Sequence, residues 1–262
     1  MNEDLDAQDA LLTVSRGLHV LRAFRGERNP LSNGEIVART GLPKSTVSRL
    51  TTTLMSTGFL RHAAGGRQFE LSTGSLGMGH AFLETSPMVR LAQPLMQALA
   101  DRINVSVALA IRDKFEMLYV TYCSSRHIAT LRLGVGSLLP IETTAIGRAY
   151  LWGLAEAERD VLIDELRQRS GQKFEATWRG IQTSFEELAR TGTCLVKSGY
   201  QRDTYGIGLP VRLGNQGTVA SLNCGAAVVG ADFNRVRAVN GAGLKELAPQ
   251  LEHILQDLDL PI

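Results

Sequence analysis

The stretch "GLPKSTVSRLTTTL", residues 41 to 54, mixes hydroxyl, cationic and apolar side chains at helical spacing. At 100° per residue, Val47, Leu50 and Leu54 fall on one side of a helix. Ser45, Ser48, Arg49, Thr52 and Ser56 fall on the other, with Lys44 at its edge. Serine and threonine are middling helix formers, so a merely solvated surface would favour Glu, Lys or Gln. Short hydroxyl side chains instead let a helix come close to phosphates and base edges, and an arginine offers paired hydrogen bonds to guanine or phosphate. This is the chemistry of a helix lying in a DNA major groove. Ser45, Thr46, Ser48, Arg49 and Thr52 would read or grip the DNA, with Lys44 on a phosphate.

Such a face needs elements to hold it. Upstream, Ser32 followed three residues later by Glu35 is a capping-box pattern, and Gly41 stops the helix that it opens. Pro43 suits the first position of the next helix, where its missing N–H costs nothing. Two helices joined by a short glycine turn, the second carrying a polar face, form a helix-turn-helix. An earlier helix with Val14, Leu18, Leu21 and Phe24 on one stripe would pack against them. Downstream, "GFLRHAAGGRQFEL" alternates apolar residues around Gly65-Gly66, the pattern of a hairpin. Arg61 and Arg67 flank its tip, and the hairpin reads as a wing touching the phosphate backbone.

The charge is distributed to match. The net formal charge is only +2, but residues 14–72 carry nine Arg or Lys against Glu27, Glu35 and Glu70. From residue 73 onward cations and anions balance, and the first ten residues hold Glu3, Asp4, Asp6 and Asp9. A basic segment joined to a neutral remainder is expected of a nucleic-acid-binding module on a second domain. Cys123, Cys194 and Cys224 are far apart, which excludes a zinc ribbon or disulfide framework, and the five histidines lack metal-site spacing. The acidic, polar N-terminus is unlike a secretory signal, and no apolar run could span a bilayer, so the expected compartment is the cytoplasm.

Beyond the wing, "STGSLGMGHAFLET" reads as a linker helix, and Leu91, Leu95 and Leu99 as a stripe on a longer one. The period then shortens: "SVALAIR", "EMLYVTYCS" and "IATLRLGVG" read as an antiparallel meander. Helical segments follow at about 144–152, 156–168 and 178–191, then strands in "GIGLPVRL" and "GTVASLNCGAAV", then a helix from Asp232. This is an α+β domain with helices flanking an antiparallel sheet. No phosphate loop, nucleophile elbow or zinc-protease motif occurs in it, and the residues assign no catalytic group, metal or cofactor. Its glycine-rich turns and small apolar residues suit the enclosure of a modest ligand. The rival reading is a small-molecule enzyme or binding protein whose basic N-terminal segment docks on a partner protein.

The succession "SRGLHVLRAF", "LSNGEIVARTGLPKSTVSRLTTTLMSTGFL", "FELSTGSLGMG", "LPIETTAIGRAYL", "SGYQRD" and "GTVASLNCG" resembles the IclR family of bacterial transcription regulators over nearly the whole chain. The resemblance implies an N-terminal winged helix-turn-helix, a linker helix and a C-terminal GAF-like effector domain. It further implies a homodimer or dimer of dimers that binds a palindromic operator and answers to a small organic or aromatic acid, as repressor or activator of a catabolic operon. Carried over by position, it places the effector against Ile128, Leu131, Leu139, Ala145, Ile146, Asn223 and Gly225, with Asp203 and Tyr205 in the loop closing over the site. The N–H groups of Ala145 and Ile146, near a helix N-terminus, would hold a carboxylate. Two departures stand out: the loop "QRDTYGIGL" is short, and Glu142 stands where a histidine often follows. Arg126, Arg132 and Arg148 are the available counter-charges. The expected organisation is an acidic flexible tail over 1–13, a DNA-binding domain over 14–72, a linker helix over 73–87 and an effector domain over 88–262.

Overall fold

The computed structural model describes residues 2–24, 29–126, 128, 133–228 and 232–260. The chain divides after Thr85 into two compact units.

In the first unit, α1 (Asn2–Arg22) precedes α2 (Asn33–Thr40) and α3 (Lys44–Ser56), followed by β1 (Leu60–His62), β2 (Phe69–Leu71) and α4 (Thr73–Thr85). Glu35 and Ser32 form the expected capping box: Ser32 N–H donates to Glu35 Oε2 at 2.7 Å and Glu35 N–H to Ser32 Oγ at 3.3 Å. The Ser32 hydroxyl also donates to Glu35 Oε2 at 2.7 Å, and this bond, with that from Ser32 N–H, holds the Glu35 carboxyl below its ordinary value. Gly41 ends α2 at φ 68°, a left-handed conformation that any β-carbon would strain, and turns the chain into α3. Ile36, Val47, Leu50, Leu60 and Phe69 close a small core under Val20 and Phe24 of α1. β1 and β2 pair antiparallel, with Arg61 opposite Glu70, around a turn where Gly65 and Gly66 both have positive φ.

Two expectations for α1 are corrected. The segment expected as a flexible tail is helical from Asn2, since good helix formers follow an acidic start that complements the helix dipole. Val14 and Leu18 do not pack on the core; they are exposed, and the buried face is set by Val20 and Phe24.

The second unit opens with α5 (Pro87–Ile103), capped by Ser86. A sheet follows, built from β3 (Ser106–Asp113), β4 (Glu116–Ser124), β5 (Leu138–Pro140), β6 (Cys194–Lys197), β7 (Thr204–Leu213) and β8 (Thr218–Ala227). Its order is β5-β4-β3-β8-β7-β6, antiparallel throughout. Between β5 and β6 lie α6 (Ala145–Gly153), α7 (Glu156–Ser170) and α8 (Phe174–Thr191); α9 (Phe233–Leu255) comes last.

Alternate residues of β3 serve different cores, as the pleat requires. Val107 and Leu109 pack with Met96 and Leu99 of α5 and Leu244 and Leu251 of α9. Ala108 and Ala110 pack with Ile146 and Leu151 of α6, Leu162 of α7 and Phe174 and Ile181 of α8. The sheet is therefore the middle of three layers, which is why its central strands read as apolar runs. One meander strand is corrected: Leu133 to Ser137 are not strand, the pairing with β4 being made by β5. The edge strand β6 was not legible in the sequence.

Candidate functional site

Two separate sites emerge, one in each unit. On α3, Lys44, Ser45, Ser48, Arg49 and Thr52 are exposed and Thr46 is half-buried, while Val47 and Leu50 face the core. The hydroxyl of Thr52 donates to the Ser48 carbonyl at 3.0 Å, leaving its oxygen outward as an acceptor. Pro43 gives no side-chain cap to α3, so the first N–H groups of the helix meet no capping oxygen. That end carries partial positive charge and favours an anion. Arg67 is exposed beside the wing turn. Arg61 is exposed too, but its guanidinium lies 2.8 Å from Glu70 across the wing, which occupies part of its donor fork.

The second site is a cavity between the sheet and the N-terminus of α6. It is a hollow of about 470 Å³ counting its open mouth, of which about 50 Å³ is enclosed. Glycines let the elements around it approach closely. A β-carbon on Gly208 would sit 2.6 Å from the Ala145 carbonyl oxygen, and one on Gly225 2.7 Å from that of Tyr205. Gly147 likewise lets α6 lie against the Ile141 backbone. Thr144 caps α6 by accepting from Gly147 N–H at 3.3 Å and donates to the Pro140 carbonyl at 2.7 Å. Thr144 and Ala145, at the helix start, line the cavity.

On the sheet side, Asn223 Nδ2 donates to the Tyr119 hydroxyl oxygen at 3.2 Å. Tyr119 is on β4 and Asn223 on β8, with β3 between them; Ala108, small and beside Asn223 in register, leaves room for the ring. Burial holds the Tyr119 phenol well above its ordinary pKa, so it stays protonated. Having accepted from Asn223, it keeps its own O–H for a further acceptor. Tyr205 lines another wall, its hydroxyl accepting from Asn240 of α9 at 3.0 Å. Among the described residues no charged side chain lines the cavity.

Of the residues placed by resemblance, Leu139, Ala145, Tyr205, Asn223 and Gly225 line it. Ile146 is fully buried in the core, Asp203 is exposed in a turn with φ 57°, and Ile128, in a bend, is not among the lining residues. Leu131 and Arg132 lie outside the described residues. Glu142 does not line the cavity, and Arg148 points away from it: its Nε donates to the Glu142 carbonyl and its Nη1 to the Gly180 carbonyl. Arg126 is exposed. Sequence reasoning missed Ser106, Tyr119, Thr144, Tyr200 and Thr204. Only the strand alternation could have found Tyr119, and a bulge at Val120 of β4, opposite Leu109 and Ala110 of β3, shifts that register.

The helix-turn-helix region, residues 13–64, matches the IclR helix-turn-helix domain, and residues 80–253 match the bacterial transcriptional regulator IclR C-terminal domain. The chain belongs to the IclR family. It is 30% identical over 197 residues to the HTH-type transcriptional regulator TsaQ1/TsaQ2 of Comamonas testosteroni, spanning 74% of this chain and 70% of that one. The crystal structure of an IclR family transcriptional regulator from Brucella abortus superposes with a TM-score of 0.82 at 33% identity, covering 93% of this chain and 92% of that one. An IclR homolog from Microbacterium hydrocarbonoxydans, solved with 4-hydroxybenzoate, shares the fold at a TM-score of 0.66 and 21% identity, covering 93% and 98%. This IclR chain is thus a transcriptional regulator with a helix-turn-helix, and the enzyme reading is set aside. Among the described residues no helix is long and apolar enough to cross a membrane.

Proposed function

We propose that this IclR-family regulator binds a DNA operator through α3 and the wing, and that a small organic acid in the second-unit cavity controls that binding. The reading rests on one observation. The cavity is walled by the start of α6, at Thr144 and Ala145, and by the Tyr119–Asn223 pair, with no carboxylate among its described lining residues. A ligand with a carboxylate at one end and an acceptor oxygen at the other satisfies both walls, with the helix end supplying the positive charge that no lysine or arginine gives. The 4-hydroxybenzoate of the Microbacterium hydrocarbonoxydans homolog is of that shape.

The test is the melting temperature of the second unit's transition against aliphatic acids, hydroxybenzoates and neutral phenols. At a hundred times its dissociation constant, a ligand stabilises by ~2.7 kcal/mol. A shift confined to acids that carry a second oxygen supports the reading; a shift with neutral phenols alone refutes the carboxylate end. On DNA, Arg49→Ala should cost ~1–3 kcal/mol and relax base preference. Arg67→Ala should weaken all sequences alike and flatten the salt dependence. Base preference surviving Arg49→Ala would take α3 out of the groove.

A further inference from the structure

The wing carries a carboxylate among the groups read as gripping DNA. Residues 44–71, from the start of α3 to the end of β2, hold Lys44, Arg49, Arg61 and Arg67 and a single acid, Glu70. Leu60 and Phe69 turn into the core with Val47 and Leu50 of α3, so Arg61 and Glu70, one residue along on each strand, share the outer face of the hairpin. They stand directly opposite in register, and the guanidinium meets the carboxylate at 2.8 Å. Among the described residues, Arg61 is the one cation of the four that an ion pair holds. The Arg61 side chain is 67% exposed and that of Glu70 34%, so water and salt weaken the pair and a stronger anion can displace it.

A DNA phosphate is such an anion. It belongs to a dense row of like charges, and it takes a guanidinium through the same paired hydrogen bonds as a carboxylate does. For Arg61 to reach it, the bond to Glu70 has to break, and the freed carboxylate is then left near a polyanion that repels it. We propose that Glu70 restrains the wing: in the free protein it holds Arg61 in a pair, and on DNA it has to release it, which lowers affinity for duplex of any sequence. The proposal rests on the reading that the wing touches the phosphate backbone. Phosphate contacts carry no sequence information, so the restraint falls on every site alike and leaves base preference to α3. It limits how much of the regulator the large excess of non-specific DNA can hold.

The test is binding of the full-length chain to a random-sequence duplex, followed by fluorescence anisotropy at rising salt. Glu70→Gln keeps the shape of the side chain and removes its charge. It should raise affinity roughly tenfold at low salt and steepen the dependence of log K on log salt by about 0.9 for each wing engaged. In an Arg61→Ala background the same substitution should gain much less, because the group it frees is missing. A purely structural pair predicts the opposite sign, since losing it would loosen the hairpin and weaken binding. Lower or unchanged affinity for Glu70→Gln overturns the proposal. So does a full gain that persists without Arg61, which would make Glu70 a plain repulsive charge. Arg67→Ala separates this failure from that of the wing itself. If Arg67→Ala flattens the salt dependence while Glu70→Gln changes nothing, only the restraint is wrong. If neither Arg61→Ala nor Arg67→Ala alters it, the wing is off the DNA and both readings fall.

Discussion

Tyr119 and Asn223 carry the most specific chemistry in the cavity, because each depends on the other. Asn223 is 8% exposed and Tyr119 2%, so removing either leaves a polar group stranded away from water. Tyr119→Phe should lower stability by ~1–3 kcal/mol through the unpaired amide. It should also weaken any ligand whose acceptor oxygen meets the phenol, by about tenfold or more, with little loss for an analogue lacking that oxygen. Titration calorimetry with the two analogues measures the difference; equal losses would mean that the hydroxyl does not touch the ligand. Because burial keeps this phenol protonated, ligand affinity should not track phenol ionisation between about pH 6 and about pH 9. Of this pair, Asn223 was named from family resemblance, while Tyr119 was hidden in "EMLYVTYCS", where alternate residues face different layers and a bulge at Val120 of the same strand shifts the alternation.

Among the elements, α6 is positioned by the absence of side chains beneath it. Gly208→Ala would drive a methyl group against the Ala145 backbone, which cannot yield as a flexible side chain could. It should destabilise by ~1–3 kcal/mol and disrupt ligand binding with it. Gly77 on α4 provides the control, since a β-carbon there meets nothing within 4 Å. Gly77→Ala in that helix interior should stabilise by ~0.5–1 kcal/mol. Chemical denaturation of the two variants checks both signs. The helices themselves were legible because caps and breakers are local: Ser32, Gly41, Ser86 and Asp232 sit at the ends that their chemistry implies. The β6 edge was not, because "CLVK" is short and becomes a strand only by pairing with β7.

At the scale of the molecule, three buried thiols set an alkaline limit. Burial pushes Cys194 and Cys224 up to about 12 and Cys123 up to about 11, against about 9 for a thiol in water. In that interval the unfolded chain holds fewer protons than the folded one, so stability falls as pH rises. The contribution is complete below about pH 9 and is lost on approach to pH 12. Melting temperature should therefore decline steadily above about pH 9. A thiol-specific reagent at neutral pH should label the native protein only as fast as it opens. Rapid labelling of any of the three would contradict their burial.

The sequence by itself determined the two-part organisation, the polar, outward side of α3 and the run of helices and strands, because capping, periodicity and charge are read from neighbours a few residues apart. It did not determine which face of α1 finds the core, that Arg148 and Glu142 turn away from the cavity, or that Tyr119 reaches Asn223 across an intervening strand. Those depend on strand register and on the close approach that Gly147, Gly208 and Gly225 permit, and register and approach exist only once residues distant in the chain are packed together.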